Sequence, residues 1–171
     1  MSITNGYATL AQAKSELGIS DTTDDTRLEV CVAAASRQID SFCGRRFWVD
    51  GSVVAREFYA DNSMVCYVDD ISTVTGLIVK VDSADNGFVS GTTTLTITTD
   101  FILKPSNAAD DVPVRPYTQI VSTGTNATFP VSSVRPGVQV TAKFGWPAVP
   151  DDVLKACLLQ TTALFRGQDA P

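Results

Sequence analysis

Six apolar residues, Leu28, Cys31, Val32, Ala35, Ile39 and Phe42, fall at i, i+3, i+4, i+7, i+11 and i+14. That spacing lines one face of an α-helix and predicts a helix from about Asp25 to Cys43. The acids of Asp21 to Asp25 suit its positive N-terminal end. Gly44 stops it, and Arg45 and Arg46 follow where cations favour the negative end. A helix with such a stripe holds its shape only by burying it against another element. Two further helices offer themselves. Thr9 and Gln12 form a capping box ahead of Leu10–Leu17, and Gly18 reads as the stop. Near the other terminus, Pro150-Asp151-Asp152 opens a helix whose buried face is Val153, Leu154, Cys157, Leu158, Thr161, Leu164 and Phe165, ended by Gly167.

Between these ends the period changes. Val53–Tyr59, Met64–Val68, Leu77–Val81, Thr93–Thr98, Phe101–Leu103 and Val138–Phe144 read as strands, and Gln119–Val121 as a further short one. Asp61-Asn62-Ser63 and Asp85-Asn86-Gly87 read as turns, and Ser122 to Pro130 as a hairpin end. Thr93–Thr98 alternates strictly and is expected to be half-buried. Pro105, Pro113 and Pro116 make 105–118 a loop. The order is helix, helix, about six strands, helix. The expected class is α+β: a small helical bundle built from both chain ends, with an inserted antiparallel β module. The expected domains are 1–47 with 148–171, helical and discontinuous, and 48–147, rich in β-structure.

Composition narrows the function. The chain has 171 residues, enough for one domain with a sizeable insertion. It has 13 basic and 19 acidic residues, a net charge of -6, which disfavours a tight grip on DNA phosphates. An acidic surface would instead let DNA slide past. There is no histidine, so Ser-His-Asp, Cys-His and histidine-based metal sites are excluded. Cys31 and Cys43 share the second helix at about 18 Å, too far apart for a disulfide. All four cysteines are expected to be buried free thiols, as in a reducing cytoplasm. The opening Met1–Asn5 has no signal-peptide pattern, and no apolar run approaches the length of a membrane span. A soluble, cytosolic protein is expected.

The search for chemistry yields little. The acidic pairs Asp24-Asp25, Asp69-Asp70, Asp110-Asp111 and Asp151-Asp152 read as helix starts and turns, since adjacent side chains point apart. Asp82–Gly87 faintly resembles a calcium loop but lacks the third ligand, at Ala84, and the twelfth, at Thr93. No phosphate loop, nucleophile elbow or metal-ligand spacing occurs. No catalytic residue, metal or cofactor is expected, and the chain reads as no enzyme. Gly44-Arg45-Arg46-Phe47-Trp48 is either a helix cap or a partner contact. Trp146, in Phe144-Gly145-Trp146-Pro147, is either a core plug or an interface anchor.

The order of segments resembles the head–tail connector family of tailed bacteriophages, also called portal adaptors or head-completion proteins. The resemblance is carried by Tyr7–Lys14, by Ile39–Phe47, by Phe101–Pro105 with Arg115–Thr118, and by Phe144–Val153 continuing to Ala163–Gly167. It is firmest at the helical ends. It implies a structural subunit of a virion, made in the host cytoplasm, forming a ring of typically twelve copies at the head–tail junction. DNA would pass through the lumen without sequence-specific binding, and no membrane is involved. The implied partners are the portal protein, a tail-side connector, stopper or tail-terminator protein, and further copies of the chain. The expected interface residues are Arg45, Arg46, Phe47, Trp48, Trp146, Phe165 and Arg166. The sequence closes at Gln168-Asp169-Ala170-Pro171, so the portal contact is expected elsewhere than on a long tail. The competing reading is a β-rich receptor- or glycan-binding module of a virion, suggested by the Thr-rich strand.

Overall fold

A computed structural model of the chain describes residues 3–124, 127–131 and 134–167. Parts of the 122–130 hairpin end and all of Gln168–Pro171 lie outside the described residues. The fold is α+β, with three helices and seven strands in two antiparallel sheets among the described residues. The chain divides into two compact units. One is Met1–Trp48 with Ala148–Pro171, and the other is Val49–Pro147.

The first unit holds α1 (Leu10–Leu17), α2 (Asp25–Cys43) and α3 (Asp151–Gly167). Local chemistry sets the helix ends. The Thr9 hydroxyl accepts the Gln12 N–H, and the Gln12 side chain accepts the Thr9 N–H. Gly18 and Gly44 close α1 and α2 in the left-handed region, at φ of 71° and 62°, where a side chain would be strained. α2 and α3 run antiparallel. Arg27, near the start of α2, donates to the Phe165 carbonyl at 2.7 Å, while Ser36 sits 3.5 Å from the Cys157 sulfur. Leu28, Cys31, Val32 and Ala35 are buried, as are Cys157, Leu158, Thr161 and Phe165. Each large apolar side chain so buried contributes roughly 1.5–3 kcal/mol. α1 is tied on by Lys14–Asp25 and Lys155–Glu16, both at 2.6 Å. The exposed stripe end departs from expectation. Phe42 is 93 % exposed and Cys43 is exposed, although the stripe and the buried-thiol reading placed both inside. Helical periodicity fixes which residues share a face, but only an opposing element can bury them.

The second unit contains β1 (Val54–Phe58), β2 (Val65–Ile71), β3 (Ile78–Asp82), β4 (Thr92–Leu95), β5 (Phe101–Lys104), β6 (Tyr117–Ser122) and β7 (Val138–Ala142). One sheet has the order β1-β7-β3-β4, the other β2-β6-β5. Register follows the alternation of the sequence. Val79 pairs with Val140 and Val81 with Val138, all buried on one face. Both sheets supply one core, which includes Cys66, Ile71, Phe101, Ile120 and Phe144. Ile71 bridges to Phe144, and Lys143 holds the junction by accepting both the N–H and the hydroxyl of Ser72.

Every strand differs from expectation at one limit or both, β2 running on to Ile71 rather than Val68, and three of the differences have a visible cause. β4 ends at Leu95, and of its residues only Leu95 is buried. The Asp100 carboxylate takes the Thr96 N–H at 2.7 Å and Thr98 adopts φ of 71°, so the alternating pattern turns away from the sheet. β6 begins at Tyr117, two residues early, because a shift in register lets Tyr117 pair with Ile71. β7 stops at Ala142, since the Lys143 carbonyl is already taken by Ser72.

Candidate interaction surface

The polar groups that might suggest chemistry are used internally. The buried Asp82 carboxylate accepts the N–H groups of Ala84, Asn86, Gly87 and Phe88 at 2.8–3.1 Å. The Phe88 N–H, with those of Asn86, Gly87 and Ala84, holds its acid form below the usual carboxylate range against the cost of burial. The loop that faintly resembled a calcium site is therefore a turn clamped by one carboxylate. Of the acidic pairs, Asp25 bonds Lys14, Asp69 bonds Arg56 and Asp111 bonds Arg115. Asp152 accepts the Val153 N–H at its helix start. Arg56 also reaches Asp50 at 3.3 Å and lies 4.2 Å over the Phe144 ring. Among the described residues no cluster of Cys, Asp and Glu is placed to hold a metal ion. No described helix is long and apolar enough to cross a membrane.

The expected interface residues fall into two groups. Phe47 is buried and meets the Tyr7 ring edge-on at 5.9 Å, while its N–H donates to the Tyr7 hydroxyl. That hydroxyl donates to Asp40, and burial with this bond raises the phenol above its ordinary range. Phe165 is buried beneath the Arg27 guanidinium at 4.3 Å. Trp146, at the end of the β unit, is buried. These three are packed residues. Arg45 and Arg166 are exposed, and Arg46 stacks 4.1 Å over the half-buried Trp48. Arg45 to Trp48 thus form one continuous stretch just past α2, while Arg166 lies at the far end of α3.

The surface that sequence reasoning missed lies within the helical unit. Where α3 begins beside the end of α2, the two helices leave a groove of about 500 Å³. Ile39, Phe42 and Cys43 line it from α2, and Val153 and Ala156 from α3. Its far side is closed by Gln160 donating to Gln38 at 2.7 Å. Of the eight lining residues only Asp152 is charged. The Phe42 ring stands in solvent beside this apolar wall. Burying it against a partner would contribute roughly 1.5–3 kcal/mol. A groove that is apolar, nearly uncharged and fronted by an aromatic side chain has the make-up of an interface core. The signal was present in the sequence, as an aromatic stripe member in the last turn before a stop glycine.

Residues 7–74, spanning α1, α2, β1 and β2, match the family described as phage gp6-like head-tail connector protein. No curated protein matches the chain. A chain of the neck of an empty GTA particle, computed with C6 symmetry, shares the fold at a TM-score of 0.58 and 18 % identity. The match covers 97 % of this chain and 81 % of that one. Over residues 7–74 the chain is similar to the phage gp6-like head-tail connector proteins.

Proposed function

We propose that the chain is a structural subunit of the head–tail junction of a tailed phage, and that it acts by assembly rather than by catalysis. The observation that carries this reading is the connector match over both N-terminal helices, joined to a neck-chain fold along nearly the whole length. In this reading copies close into a ring of twelve between the portal and a tail-side connector, stopper or tail terminator. A twelvefold ring contains a sixfold axis, so it is compatible with the C6 symmetry of the neck whose chain shares the fold. DNA passes through the lumen. A chain of net charge -6 offers such a passage few cations to hold phosphates, so the duplex slides rather than sticks. The finished subunit resides in the virion after synthesis in the host cytoplasm. Arg45, Arg46, Trp48 and Arg166 are the interface residues with accessible side chains. Phe47 and Phe165 support the surface from inside the helical unit, and Trp146 is buried in the β unit.

The role is tested by omission. Particles assembled without the chain should accumulate as separate heads and tails. Normal yields of joined, infectious particles would overturn the assignment. A receptor- or glycan-binding role, suggested by the exposed Thr92, Thr93 and Thr94 of β4, predicts instead joined particles that fail to adsorb.

A further inference from the structure

We infer that Asn5 is a site of spontaneous deamidation in the folded chain, and that the second pair of the same chemistry, Asn86-Gly87, is held inert by Asp82. The sequence contains two Asn-Gly pairs, Asn5-Gly6 and Asn86-Gly87. Such a pair is thermolabile, because glycine has no side chain to keep its nitrogen from the neighbouring carboxamide. The glycine nitrogen attacks the asparagine Cγ and forms a succinimide. The bond from Cγ to the carboxamide nitrogen breaks, and ammonia leaves with the proton of the attacking nitrogen. Water then opens the ring to aspartate or isoaspartate. No oxidant or cofactor takes part.

The two pairs are held differently. At Asn86-Gly87 both reacting groups are tied to other partners. The Gly87 N–H donates to Asp82 at 2.8 Å. The Asn86 carboxamide accepts the Val89 N–H at 3.1 Å and donates to the Ser90 carbonyl and hydroxyl, each at 3.0 Å. Closing the succinimide requires breaking these bonds together. Asp82 could instead take the Gly87 proton and speed the attack. It also accepts the N–H groups of Ala84, Asn86 and Phe88, however, which makes it a poor base. The carboxylate is a lock. Asn5 is exposed, and the bond described for it is to its backbone carbonyl, from Arg37 at 2.7 Å. That bond leaves the carboxamide free to turn toward Gly6. Isoaspartate at position 5 would carry the backbone through the former side chain and move that carbonyl off Arg37. The change falls two residues before Tyr7, whose N–H donates to Ser36 of α2 at 3.0 Å.

The experiment ages the full chain in mildly alkaline buffer and maps its peptides by mass spectrometry, with isoaspartate resolved by chromatography. The same chain unfolded in guanidinium chloride is the reference. Unfolded, the two asparagines should convert at similar rates. Folded, Asn5 should convert at close to its unfolded rate, and Asn86 at least about tenfold more slowly than unfolded. Asp82→Asn should return Asn86 toward the unfolded rate and leave Asn5 unchanged. Hydrogen exchange of the β3 and β7 amides checks that this variant stays folded. Should it unfold, Ser90→Ala, at an exposed position, removes one bond to the Asn86 carboxamide and should raise Asn86 conversion in a folded chain. Equal Asn86 rates in the folded and unfolded chain would overturn the lock. So would slower Asn86 conversion in a folded Asp82→Asn, which would make Asp82 the base. An Asn5 that converts only when the chain is unfolded would overturn the site.

Discussion

The two units of this chain spend their side chains in opposite ways. In the β unit, polar groups turn back onto their own backbone. Asp82 closes a turn, Asn62 accepts the N–H groups of Met64 and Val65, and Asp100 ends β4 by taking the Thr96 N–H. Its core draws on both sheets and is closed around Phe101 and Phe144. In the helical unit the stripe of α2 is buried from Leu28 to Ser36 and then runs out into solvent at Phe42. The β unit also leaves apolar side chains in solvent, Val112 at 99 % and Val89 at 83 % exposure among them. In the helical unit the exposed side chain is an aromatic one and stands beside an apolar groove, the make-up of a docking surface.

Substitutions should divide along that line. The largest effect is expected at Phe101, whose truncation to Ala should cost about 3–5 kcal/mol by opening a cavity in the β core. Leu28→Ala should cost about 2–5 kcal/mol in the helical unit. Hydrogen exchange resolved by residue would locate each loss. If Leu28→Ala loosened the β strands as much as the helices, the division into two units would not describe how the chain unfolds.

Asp82→Asn should come next, because an amide cannot replace a carboxylate that accepts four N–H groups. The fall in Tm should be confined to the β unit. The same carboxylate makes that unit sensitive to acid. Its folded acid form lies below the ordinary range, so its stabilisation is complete above about pH 4 and is lost as pH falls through the lower folded value. Thermal melts between neutral and acid pH should show a slope in the wild-type that flattens in Asp82→Asn. An unchanged slope would remove Asp82 from the account. Thr9→Ala, which deletes the capping box of α1, should cost about 1 kcal/mol. Smallest of all, Phe42→Ser should change stability by less than about 0.5 kcal/mol. A large loss there would mean that the ring is packed after all and that the groove is not open.

Much of this was legible because it is local. Thr9 with Gln12, Gly18 and Gly44 mark helix ends through contacts a few residues away, and the structure follows them. The alternation of β3 and β7 set the buried face in the same way. What escaped depends on distant groups. The exposure of Phe42 and Cys43 is decided by what lies opposite the last turn of α2, which periodicity does not report. The end of β4 is decided by a carboxylate four residues beyond Thr96. The start of β6 is decided by a register shift against β2. The Arg45–Trp48 stretch was singled out because charge and aromatics stand out in a sequence. The groove was not, because its members read individually as core.

The central claim is that this chain is a ring subunit at the head–tail junction. A cryo-electron microscopy map of assembled particles tests it most directly. The account predicts a ring between portal and tail whose density fits α1, α2 and α3, with Phe42 covered by protein. Density for the chain on the capsid shell or at the tail tip, and none at the junction, would contradict it.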